Sequence, residues 1–236
     1  MYVFLNSSEF LAAIAGATVG GVIAFAIQIL VLWQARSERR NVELRRQQGL
    51  ATSLVFKTIR VHSNILGMKR HIDECFAKAA EKGLTGEPWQ LFIPLAGVPD
   101  RVDLTSDEMA MLLAQGDDDV FNKTLSLDAV HNGLVDAMRT LNDLRLLLGE
   151  KLQAESWEGT LLSGVLDRNQ MVMLRPKMIQ INSLIEELHA SAEKESNSVA
   201  DLLTELQALL RTRLDLKFRI ELPSEGNSDF QTQTAH

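Results

Sequence analysis

The chain has 236 residues, one cysteine, six per cent aromatic side chains and a formal net charge of −7. A single cysteine excludes an internal disulfide framework and fits a reducing compartment. The acidic balance excludes the broad basic face that a phosphate backbone requires, so nucleic acid is not an expected partner.

The N-terminal nine residues, MYVFLNSSE, carry Glu9 as their one charge, and residues 10–33 then run for 24 positions without any. As a helix this stretch is about 36 Å long at ~1.5 Å per residue, against a hydrocarbon core of ~30 Å. Lipid offers no hydrogen-bond partners, so a lone segment there closes its backbone bonds on itself. The spacing therefore predicts a single transmembrane helix. Leu32-Trp33-Gln34 provides no small-x-small cleavage site and the n-region is acidic, which argues for an anchor and against a removed signal peptide.

Ala12, Gly16, Gly20 and Ala24 recur every four residues, with Gln28 one turn further on. That stripe of small side chains, with Gly16-x-x-x-Gly20 at its centre, is the pattern that lets two membrane helices approach closely, and it suggests a homo-oligomer. Residues 34–48 form a basic neck, in which Arg36, Arg39, Arg40, Arg45 and Arg46 outnumber Glu38 and Glu43. Basic residues beside a span stay on the cytoplasmic side, so the N-terminus is expected outside and the rest inside a bacterial-type plasma membrane. The same collar suits anionic lipid head groups, at ~1 kcal/mol per basic residue near the surface. Residues 49–236 hold 19 Lys and Arg against 28 Asp and Glu, an acidic body on that collar.

From Gln34 to Glu81 there is no proline. Leu54, Val61, Met68 and Cys75 repeat at seven, as do Ala51, Thr58, Ile65, Ile72 and Ala79, the alternation of a packed helix seam. Lys82-Gly83 reads as its end. His71 and Cys75 share a face at i, i+4, half of a metal site, but Cys75 also sits on the seam as a small hydrophobe. No metal or cofactor is expected.

Residues 83–104 hold three of the five prolines and read as a connection without long regular structure. Trp89, Leu91, Phe92 and Ile93 make this loop apolar, so it either packs across a bundle end or serves as a partner-binding loop. Thr105 and Glu108 then form a capping box, and Asp117-Asp118-Asp119 opens the next helix. Val120, Leu127, Leu134, Leu141 and Leu148 repeat at seven, with Val130, Ala137 and Leu144 in the alternate row and Gly149 as the expected end. A less regular piece, 156–166, follows. Heptads resume with Met171, Met178, Ile185, Ala192, Val199 and Leu206, and with Leu174, Ile181, Leu188, Leu202, Leu209 and Leu216. Ser198 with Asp201 resembles a fresh N-cap, which leaves one helix or two between 171 and 216. Residues 223–236 read as a disordered tail.

The expected fold is all-α: one membrane helix continuing into a cytoplasmic antiparallel, coiled-coil-like bundle of four or five helices spanning 49–222. No catalytic motif accompanies it. The function expected is that of a membrane-anchored, non-catalytic scaffold or interaction subunit that holds a protein partner at the inner membrane face. The alternative is an oligomeric signalling or effector protein, toxin- or defence-like, acting through its membrane helix.

Overall fold

In the computed structural model of the chain, the backbone is described for residues 8–152, 156–157, 162–163 and 168–216, and side chains for 21, 25–152 and 170–216. The fold is helical: α1 (Ser8–Glu81), α2 (Pro88–Leu91), α3 (Ser106–Leu113), α4 (Asp118–Lys151) and α5 (Arg168–Leu214). A two-residue antiparallel pair, β1 (Ser156–Trp157) with β2 (Leu162–Ser163), interrupts the helices. The chain divides into two compact units, Met1–Gly49 and Leu50–His236.

The first unit is the N-terminal part of α1. Its described apolar side chains from Phe25 to Trp33 are exposed, with Phe25 at 65% and Trp33 at 77%. Among the described residues no helix is long and apolar enough to cross a membrane. The side chains of 10–20 and 22–24, most of the uncharged stretch, lie outside the described residues.

Among the described residues the second unit is built on three long helices, α1 from Leu50, α4 and α5, with the short α2 and α3 beside them. Both heptad rows of α1 are buried from Ala51 to Ala79. The helix ends as its Lys-Gly signal indicates: Gly83 takes φ +66°, and the amides of Gly83 and Leu84 bond back to the carbonyls of Ala80 and Ala79. In α4 the first row, Val120 to Leu148, is buried as expected. Its companion is a different one. Val130, Ala137 and Leu144 are only partly buried, whereas Thr124, His131, Met138 and Arg145 are fully so. Gly149 does not stop the helix, which continues to Lys151.

α5 is one continuous helix. Its serines near the waist do not cap anything: Ser196 Oγ donates to the Glu193 carbonyl at 2.9 Å and Ser198 Oγ to Lys194 at 3.2 Å. A hydroxyl that bonds back into its own helix removes the reason for a break. Pro176 lies inside α5, and Val172, four residues earlier and deprived of an amide partner, is solvent-exposed at a cost the helix tolerates. Met171, expected in the apolar row, is exposed.

The helix directions differ from a simple up-and-down bundle. Lys123 of α4 meets Glu205 of α5 at 2.8 Å, and Asp73 of α1 meets His189 of α5 at 2.7 Å. Asn64 of α1 meets His131 of α4 at 3.0 Å, while His71 and Arg145 hold the neighbouring carbonyls of Ile93 and Phe92. Residue numbers thus rise together along α1 and α4. These two run parallel and α5 runs antiparallel to both. A parallel pair needs a long return connection, and residues 83–105 supply it.

Candidate functional site

The most elaborated part of the bundle is that return connection, a strap along its side. Leaving Gly83, the chain makes one turn of helix at α2 and then runs extended to Thr105. An extended segment on helices has no ladder to satisfy its backbone, so each group needs a side-chain partner. Those partners come chiefly from one face of α4. Asn142 accepts from Leu95 N at 3.0 Å and donates to Leu95 O at 2.9 Å. Asn132 does the same for Val102, at 3.0 and 3.1 Å. Each carboxamide thus replaces the neighbouring strand of a sheet. Arg145 donates to the carbonyls of Phe92 at 3.0 Å and Gln90 at 3.3 Å, Arg139 to Pro99, and Arg101 on the strap pairs with Asp136. Asn182 of α5 accepts from Trp89 N at 2.8 Å, and Lys57 of α1 donates to Asp103 O at 2.9 Å.

The apolar side chains of the strap face inward. Phe92 is 0% exposed, Trp89 and Leu91 are buried, and Ile93 is partly buried against the core. Of the two readings of this loop, packing on the bundle and binding a partner, the burial of Trp89, Leu91, Phe92 and Ile93 fits packing. Their apolar area is already spent on the bundle flank, between α1, α4 and α5, and not at its end.

Arg145 is the unusual member. It is 4% exposed, has carbonyls as its hydrogen-bond partners, and its Nη1 is buried without a partner. Desolvation pulls its pKa down to about 10. His71 stands beside it, with Nε2 donating to Ile93 O at 2.8 Å and its ring edge-on to Phe92 at 5.7 Å. The Cys75 sulfur, 3.7 Å from that nitrogen, raises the His71 pKa, burial opposes the rise, and the Ile93 carbonyl adds to it. The structure thus brings His71 and Cys75 together, but the nitrogen is committed to a carbonyl. Among the described residues no group of three His, Cys, Asp or Glu could hold a metal ion.

At the other end of the strap, Glu108 is buried and closes the capping box with Thr105. It accepts from Ser53 Oγ at 2.6 Å, Thr105 N at 2.7 Å and Lys57 Nζ at 2.8 Å. Burial pushes its carboxyl up, but the bonds from Lys57, Ser53 and Thr105 outweigh that and hold it below the usual range.

Polar groups also enter the core between α1 and α4. His131 is fully buried, with Nδ1 donating to Asn132 Oδ1 at 3.1 Å and Nε2 accepting from Asn64 at 3.0 Å, the neutral tautomer. Burial lowers its pKa, Asn132 opposes and nearby Arg60 adds to the lowering; burial alone lowers that of His62. A histidine kept neutral by the fold stabilises it fully above the unfolded value of ~6.5 and loses that contribution as pH falls towards the folded pKa. His71, shifted the other way, contributes below ~6.5 and loses it on the alkaline side. Glu108, held low, stays ionised well below that window. Melting temperature should therefore drop between pH 7.5 and 5.5, and His62→Leu should make the drop smaller. An equal drop in that variant would remove His62 from the account.

The remaining sequence-derived residues lie in the first unit. Arg36, Arg39, Arg40, Arg45 and Arg46 are exposed along α1, as is Gln28. The side chains of Ala12, Gly16, Gly20 and Ala24 are outside the described residues. The strap clamps, by contrast, escaped sequence reasoning: Asn132, Asn142, Arg145 and Asn182 look like ordinary polar helix positions. The one available signal was the spacing of Asn132, Asp136, Arg139, Asn142 and Arg145, three or four apart on one face. No family model, curated protein or solved structure matches this chain.

Proposed function

We propose that the chain is a single-pass anchor of a bacterial-type plasma membrane whose cytoplasmic bundle is a non-catalytic scaffold or interaction subunit. The observation that carries this reading is that α1 is one unbroken helix from Ser8 to Glu81. The uncharged stretch 10–33 and the core seam 51–79 therefore belong to the same element. The described residues Phe25 to Trp33 are all exposed and, apart from Gln28, all apolar, so apolar side chains surround the helix there. Such a surface is unfavourable in water and at home in lipid. The exposed arginines that follow fit the cytoplasmic head-group layer. The Gly16–Gly20 stripe gives the anchor a face for pairing with a second copy. The bundle's polar side chains are occupied in fastening its own strap, which suits a rigid platform better than a reaction centre.

A reporter fused after His236 should be active only in its cytoplasmic form, and tagged protein should resist alkaline extraction from membranes and bring a partner along. In the same membranes, crosslinking between copies should fall for Gly16→Ile and Gly20→Ile and hold for Val19→Ile. A periplasmically active reporter would overturn the orientation. Membrane depolarisation on expression, with no co-purifying partner, would overturn the scaffold reading in favour of an effector.

A further inference from the structure

The strap is held to the bundle mainly through its backbone. Asn142 and Asn132 of α4 each take one strap residue by both its N–H and its C=O, Leu95 at 3.0 and 2.9 Å and Val102 at 3.0 and 3.1 Å. Arg145 donates to the carbonyls of Phe92 and Gln90, His71 to that of Ile93, and Asn182 accepts from Trp89 N. A carboxamide that offers one donor and one acceptor to a peptide group reads main chain, and does so for any residue but proline. Side chains anchor the strap chiefly at one end, where Phe92 fills a fully enclosed hole beside His71, and Trp89 and Leu91 are buried with it. Backbone clamps for affinity and a side-chain hole for selection are how an extended peptide is recognised.

The strap also has length to spare. Its end at Thr105 binds Glu108, which in turn holds Ser53 and Lys57 of α1. From Gly83 back to Lys57 is about 39 Å at ~1.5 Å per residue of helix, whereas residues 83–105 fully extended reach about 75 Å. Between the two asparagines the excess is local. Leu95 to Val102 is about 23 Å of extended chain laid over about 15 Å of α4. Gly97, at φ +83° and with open space where a Cβ would stand, takes up the difference in a bend. The connection can therefore leave its seat without drawing α1 away from α4. Its own fit is also incomplete, since it covers Arg145 while leaving Nη1 unpartnered.

We propose that this flank of the bundle is a peptide-binding groove whose resting occupant is the strap, and whose partner is an extended segment of another protein with an aromatic residue for the Phe92 hole; this rests on the reading of the bundle as an interaction subunit and not on its anchor. The partner exchanges with the strap and does not add to it. Tethered at both ends, the strap competes at an effective concentration in the millimolar range, which keeps weakly matching segments out.

The probe is a synthetic peptide copying residues 86–104, carbon-13 labelled so that its fragments differ in mass from those of the chain. It is added to the full-length protein in detergent at ~1 mM, the order of the strap's own effective concentration. Amide exchange at residues 89–103 of the chain should accelerate about tenfold or more as the strap is expelled, while α4 between 127 and 141 stays protected. A scrambled peptide should leave both segments unchanged. Phe92→Ala, whose strap has lost its anchor, should bind the copied peptide at roughly tenfold lower concentration, and adding Asn132→Ala and Asn142→Ala should undo that gain. No acceleration in the wild-type chain, or equal acceleration by the scrambled peptide, would overturn the groove even where Phe92→Ala does not fold. So would tight binding that survives the loss of both asparagines. Each of these results leaves the scaffold reading to its own test, the co-purification of a partner.

Discussion

Replacing Leu134 and Leu141 together by alanine should unfold the bundle at ambient temperature. Both side chains are buried on the apolar row of α4, and Leu141 is fully enclosed. Each truncation removes apolar contact and leaves a cavity, at ~2–5 kcal/mol apiece. The two sites stand two turns apart, about 10 Å along the helix, so their effects should roughly add. The sum, about 4–10 kcal/mol, is comparable to the whole stability of a domain this size, ~5–15 kcal/mol. Circular dichroism of the detergent-solubilised protein should show the cooperative transition lost or shifted far down. Unchanged melting would mean that this row does not carry the core.

The rows that could be read in advance are those whose burial is apolar. Leu54, Val61, Met68 and Cys75 announce a seam because periodicity and hydrophobicity coincide. The companion row of α4 was illegible because three of its four members are polar: Thr124 bonds to its own helix at Val120 O, His131 is hydrogen-bonded by two side-chain amides, and Arg145 faces the strap. A buried polar residue looks like surface until its partner is known, and the partners lie far off in sequence. The direction of α4 was hidden for a related reason. The prolines of 83–104 mark an irregular connection, but its path along the bundle flank depends on Asn132 and Asn142 binding its backbone. That kind of recognition leaves no pattern in the strap itself. Capping signals, by contrast, are local and proved readable at Gly83, Thr105 and Asp117. The serines at 196 and 198 show the limit of such signals. Without a tertiary reason to break, the hydroxyls turned back onto α5 and the apolar rows on either side kept the helix whole.

Phe92→Ala should release the strap while leaving the three long helices associated. The ring is completely enclosed and meets His71 edge-on, so its removal should cost about 3–5 kcal/mol. The backbone clamps are individually weaker. A hydrogen bond contributes ~0.5–1.5 kcal/mol net, because the unfastened strap would bond to water instead. Asn142→Ala, which removes two such bonds to Leu95, should therefore destabilise less than Phe92→Ala. Arg145 sharpens the contrast: its guanidinium stays desolvated, with one nitrogen unpartnered, only while the strap covers it. Once the aromatic plug is gone, hydration of Arg145 favours opening, and the loss should appear first as local unfolding. Amide exchange at residues 89–95 should accelerate far more than exchange in α4 between 127 and 141. Equal acceleration in both segments would show that the strap and the helices open as one unit. Slow exchange throughout, with melting unchanged, would mean that the amide and guanidinium clamps alone hold the strap.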